Sequence, residues 1–210
     1  MNLPSLNRTR VLLILLAFVV CNAMIVDVQN STTYAQTASK RFYTPVITSP
    51  VPESEAPPCR WPQNYAGLVN LQYKWGNGLQ TPGTPWRTAF ENAASSWSST
   101  NTKVLFSYSA SGSITIHTYN LDDSKDGYAI PGCGGDGVPI NYNVNANTFY
   151  SGNWSSNRRQ ALAGHELGHS SSIGHIATST AISLMGTNPN PDVYYTPQPL
   201  DITFVNEIYR

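Results

Sequence analysis

Residues 165–175 read HELGHSSSIGH, placing three of the chain's four histidines and a glutamate within eleven positions. This stretch limits what the chain can fold into. On a helix, side chains four residues apart share a face, so His165 and His169 lie one turn apart with Glu166 bordering the same face. His175 comes six residues after His169 and leaves that face if the helix continues. The chain must therefore turn back after His169, and Gly174 offers backbone freedom for the reversal. Zinc suits imidazole nitrogens, and a catalytic zinc site uses three protein ligands with a fourth position left for water. Zinc acidifies such a water, and Glu166 beside it is placed to take the proton and pass it to a leaving amine. The ion meanwhile polarises a scissile carbonyl. Two histidines on a surface helix would carry little meaning alone; the third, in so histidine-poor a chain, points to a metal centre. The remaining histidine, His117, sits in the strand-like run ITIHTY with no metal-spaced partner, and reads as a polar residue on a sheet face.

The amino terminus addresses location. MNLPSLNRTR carries two arginines and no acid, the apolar run VLLILLAFVVCNAMIV follows, and small residues then precede Gln36. That is the layout of a secretory signal over residues 1–35, with cleavage expected after Ala35 and Ala23 as the second choice. The competing reading is an uncleaved anchor, because the run approaches spanning length. Asn22 and Asp27 interrupt it. Residues 36–59 are rich in Pro, Ser and Thr without apolar periodicity and read as a linker or short pro-segment. The folded domain is expected over residues 60–210, a length suited to one core.

Export changes how the cysteines read. Cys21 leaves with the signal, so the mature chain keeps Cys59 and Cys133, and two cysteines in an oxidising compartment most often pair. The alternative is a regulatory thiol, for which Cys59 at the domain's edge is the better placed.

Within the domain, Leu68 to Trp75 reads as a strand stopped by Gly76-Asn77-Gly78. Thr84-Pro85 supplies a helix cap and a proline at the first helical position. Trp86, Phe90, Ala93 and Trp97 then form one apolar stripe. Strands are expected at Val104 to Tyr108 and Ser113 to Thr118, with shorter ones at Tyr128 to Ile130 and Val138 to Tyr142. Ser156 is a candidate cap for a helix from about Asn157 through Ser171, and a last helix is expected from Thr196 or Pro197 to Tyr209. No repeat is visible, and the order of elements predicts a single α+β domain: a small mixed, twisted sheet with the HExxH motif on its active-site helix. Charged residues make up 11% of the chain, against a usual share of about a quarter, and they balance to zero net charge. No electrostatic footprint points to nucleic acid or to an anionic membrane.

The eleven-residue motif resembles the metzincin zinc peptidases, whose pattern is HExxHxxGxxH followed by a methionine turn. The form HELGHS is similar to that of the matrixins, the matrix metalloproteinase-like family. Ser183-Leu184-Met185 resembles their methionine turn, which implies Met185 as an apolar floor beneath the metal rather than a ligand. Trp86 to Trp97 resembles the matrixin first helix, Ser113 to Ile116 the strand after it, and Leu200 to Tyr209 the last helix. The chain departs from the pattern in three places. Ser172 stands where the motif has glycine, the histidines of a matrixin structural zinc are missing, and the methionine turn comes late. Asp122-Asp123-Ser124-Lys125-Asp126-Gly127 resembles the first half of a calcium loop, but Cys133 stands where the bidentate glutamate belongs. A solvated turn is the main reading there, with calcium as the minority one.

The expectation is therefore a secreted zinc-dependent endopeptidase with one catalytic zinc held by His165, His169 and His175, and Glu166 as general base. Its partner is a protein or peptide substrate lying along a sheet edge near Tyr128 to Ile130. No nucleic acid and no stable membrane association after signal cleavage are expected, and the sequence is silent on oligomeric state. The alternative is a catalytically inactive exported zinc-binding domain.

Overall fold

The computed structural model describes residues 59–176, 182–186 and 190–210. The expected signal segment over 1–35 and the Pro-rich segment up to residue 58 lie outside them. Among the described residues, no helix is long and apolar enough to cross a membrane.

The domain is α+β, as expected. Five strands, β1 (Val69–Trp75), β2 (Val104–Tyr108), β3 (Ile114–Tyr119), β4 (Gly127–Cys133) and β5 (Pro139–Asn147), are joined by the helices α1 (Pro85–Ser98), α2 (Ser156–Ser170) and α3 (Pro199–Ile208). The strands form one sheet in the order β2-β1-β3-β5-β4. The first four in that order run parallel, and β4 lies antiparallel to β5 at the edge.

Alternation along each strand sends one set of side chains inward. Val69, Leu71, Ile114, Ile116, Tyr142, Val144 and Ala146 are buried, joined by Phe90, Ala93 and Trp97 from α1 and by Ala161 and Leu167 from α2. Both helices therefore lie on one face of the sheet, and α2 rests against β4 and β5. The opposite face carries the polar residues Asn70, Gln72 and Asn143.

Thr84 caps α1 as the sequence predicts, accepting the Arg87 amide with Pro85 in the first turn. Two helix starts differ from expectation. Ser155, not Ser156, caps α2, its hydroxyl accepting the Arg158 amide at 3.0 Å. The last helix begins at Pro199, because the Asp201 carboxylate accepts the Gln198 amide at 2.7 Å and fixes the first turn there.

β4 and β5 extend beyond the short strands expected. In β5 the asparagines 141, 143, 145 and 147 alternate with Tyr142, Val144 and Ala146, a period-two pattern running past Tyr142. Pro131 is accommodated because β4 is an edge strand, where a missing N–H breaks no second ladder. Cys59 and Cys133 form a disulfide with a Cα separation of 5.7 Å, joining the start of the domain to the end of β4. The free-thiol reading of Cys59 does not hold.

Candidate metal centre

The last turns of α2 and the chain that follows bring the three histidines together. Ring centroids lie 4.8 Å apart for His165 and His169, 5.1 Å for His165 and His175, and 4.7 Å for His169 and His175. One ligand atom from each fits within a 4.8 Å span. Among the described residues, this is the only group of three or more histidines, cysteines or acids able to hold a metal ion.

Backbone carbonyls fix two of the rings. Nδ1 of His165 lies 2.8 Å from the Leu184 carbonyl oxygen, and Nδ1 of His169 lies 2.9 Å from that of Ile173. A carbonyl oxygen only accepts, so each Nδ1 carries the proton and each Nε2 keeps its lone pair for a metal. Burial pushes His165 down to about 4 and His169 to about 3. Both are therefore neutral donors at ordinary pH. Three imidazoles grouped in this way are a ligand set that suits zinc.

Glu166 points from the same helix toward the sheet. It is 4% exposed, and its Oε2 has no hydrogen-bond partner. Burial, reinforced by the charge of Asp126, raises its carboxyl to about 8. Gly127, the first residue of β4, runs directly against it. A Cβ there would come within 2.9 Å of Glu166 Oε1 and 2.8 Å of the Asn145 carbonyl oxygen. Only a glycine lets the edge strand pass this close to the carboxylate, and the sequence reading gave Gly127 no such role.

The turn Ser183-Leu184-Met185 packs against the same helix, α2. Met185 is fully buried, and a Cβ on Gly168 would come within 2.3 Å of its Sδ and 3.1 Å of the Trp97 ring. Gly168 thus lets the turn sit against α2. The Ile176 amide donates to the Met185 carbonyl at 2.9 Å, pairing the segment after His175 with the turn. Asp201, fully buried at the start of α3, braces the turn from behind. It accepts the Ser183 hydroxyl and the amides of Leu184 at 2.8 Å and Met185 at 3.1 Å. Sequence reasoning missed this role; the only trace is an acid three residues after a helix cap.

The reversal after α2 uses a residue other than the one expected. The left-handed residue is Ser172, with φ of 66°, and not Gly174. Its amide donates to the His169 carbonyl at 2.9 Å, closing the helix. The same His169 carbonyl also accepts Tyr142 Oη at 2.9 Å, and Trp61 Nε1 donates to Ser170 O at 2.8 Å.

His117 stands apart, accepting the Asn77 amide on Nδ1 at 3.0 Å. In the acidic loop before β4, the Asn147 side-chain amide donates to Leu121 O at 2.7 Å, Lys125 O at 2.9 Å and Asp123 Oδ1 at 3.1 Å.

No protein-family model matches the chain, and no curated protein matches it. Among solved structures, the chain is similar to high choriolytic enzyme 1, a hatching-enzyme zinc protease of the medaka Oryzias latipes. The identity is 14% and the TM-score 0.49, with 82% of this chain and 98% of that one covered.

Proposed function

We propose that this chain is a zinc-dependent endopeptidase of matrixin type, acting outside the cell. One observation carries the reading. Three histidines converge with two rings fixed so that Nε2 faces inward, and beside them lies a buried carboxylate with an unpaired oxygen. A purely structural zinc site has no use for such a carboxylate, and leaving it unpaired in the interior costs stability.

In this reading His165, His169 and His175 hold the ion, which supplies Lewis acidity toward a carbonyl and toward water. Glu166 is the proton carrier. Its Oε2 would accept a proton from the attacking water and later deliver it to the departing amine, and a dication bound beside it would favour the ionised carboxylate that this role needs. Met185 forms the apolar floor and takes no part as a ligand. The free edge of β4 offers main-chain groups to an extended peptide, which would add as a further strand beside the centre. The disulfide, together with the basic and apolar amino terminus, supports export.

The test is digestion of a mixed peptide library by zinc-loaded protein and by Glu166→Gln, read by mass spectrometry. Cleavage of internal bonds by the wild type alone is the expected result. Zinc bound by both proteins with cleavage by neither would leave the inactive zinc-binding domain as the correct reading.

A further inference from the structure

The turn between His169 and His175 contains an unusual choice. Ser172 holds a left-handed backbone at φ 66°, which is strained for a residue with a side chain and costs glycine almost nothing. The side chain that imposes this cost is itself buried, at 3% exposure, and fully engaged. Ser172 Oγ donates to the Cys59 carbonyl at 3.1 Å, and Tyr209 Oη donates to Ser172 Oγ at 3.1 Å. Burial pushes the Tyr209 phenol up to about 12, so it remains a donor throughout the working pH range.

Both ends of this hydrogen-bonded chain are anchored. Cys59 is covalently joined to Cys133. Tyr209 is buried, and its carbonyl accepts Gln63 Nε2 at 2.8 Å. On the near side, the Ser172 amide closes α2 on His169 O. The next residue, Ile173, offers the carbonyl that orients the His169 ring. Three residues beyond Ser172 stands His175. A glycine would allow the same backbone path but could not hold it.

We propose that Ser172 is a positioning residue for the three-histidine centre, its hydroxyl tethering the turn between the second and third histidines to Cys59 and Tyr209. The proposal rests on the reading of the three histidines as zinc ligands. The residue acts through His169 and His175 and does not itself touch metal or substrate.

The test is zinc affinity and zinc dissociation rate, measured on the full chain by competition with a chromophoric chelator well below the unfolding temperature. The proteins are wild type, Ser172→Ala and Ser172→Gly, and the unfolding temperature of each metal-free protein is measured alongside. Alanine keeps the backbone cost and loses the hydroxyl; glycine loses both. The expected result is zinc affinity weakened about 10–100-fold in both variants, while glycine unfolds at a higher temperature than alanine. Affinity then follows the hydroxyl and stability follows φ. A glycine variant that binds zinc as tightly as the wild type overturns the proposal, and it serves as the test even if the alanine variant does not fold. A wild type that binds no zinc overturns the reading of the site itself, a different failure and a visible one.

Discussion

The Asp201 carboxylate accepts the Leu184 amide at 2.8 Å, and the carbonyl of the same Leu184 meets His165 Nδ1 at 2.8 Å. One residue therefore connects a buried acid on α3 to a histidine ring on α2. Substituting Asp201→Ala strands the Ser183 hydroxyl and the amides of Leu184, Met185 and Gln198. Each unmet buried donor costs about 1–3 kcal/mol, so a loss of several kcal/mol in chemical denaturation is expected, together with weaker zinc binding. Wild-type stability in Asp201→Ala would refute this account of the methionine turn.

Gly168 and Met185 make a second test. A Cβ at Gly168 collides with Sδ, with the Trp97 ring close behind, so Gly168→Ala should destabilise by about 1–3 kcal/mol. Truncating the partner relieves the collision, and the double variant Gly168→Ala, Met185→Ala should lose less than the sum of its parts. Strict additivity in a denaturation cycle would show that the two residues do not meet.

The close pass of Gly127 over Glu166 predicts an effect on turnover. In Gly127→Ala the new methyl group must displace either the carboxylate or the edge strand. Displacing a proton carrier by about 1 Å costs on the order of 100-fold in rate. The expected outcome is kcat/KM lowered by that order with zinc content unchanged, measured on a peptide the wild type cleaves.

Stability of the metal-free protein should pass through a maximum near pH 6.5. His165 and His169 bind protons at about 4 and 3 when folded, against 6.5 in the unfolded chain. Unfolding between those values takes up protons, so stability falls as the pH drops below 6.5. Glu166 has the opposite sign. Folded, it holds its proton up to about 8, and unfolded it releases it near 4.5. Stability therefore also falls as the pH rises from 6.5 to 8, where the histidine contribution is already complete. In Glu166→Gln the upper decline should disappear from the curve of unfolding temperature against pH while the lower one remains. A variant curve that parallels the wild type would refute the assignment.

The disulfide spans 74 residues. By loop entropy its removal costs about 4 kcal/mol. Cys59→Ser, Cys133→Ser should unfold at a correspondingly lower temperature, and a reducing agent should destabilise the wild type but not the double variant. Equal stability of both proteins would show that the cross-link is energetically silent.

The metal centre was more legible in the sequence than the structure that braces it. The spacing of His165, His169 and His175 is local, and helix periodicity converts it directly into geometry. The cap at Thr84 and the stripe from Trp86 to Trp97 were readable for the same reason. At Ser172 the motif's glycine pointed to a left-handed backbone, but the hydroxyl's role was not legible, because its partners are a phenol and a carbonyl from distant parts of the chain. Asp201 was missed likewise: its partners Ser183, Leu184 and Met185 lie more than a dozen residues upstream. The extent of β5 could have been read from its alternating asparagines, but asparagine's low strand propensity weakens that pattern.

The braces also impose an order of events. Asp201 and Tyr209 both follow the histidines along the chain, so a ribosome releases the three ligands before it releases the groups that steady them. A nascent chain that has emerged only as far as Met185 has all its imidazoles but lacks Asp201 behind Leu184 and Tyr209 behind Ser172. If the three histidines hold an ion, the site gains both braces only once α3 and Tyr209 have docked.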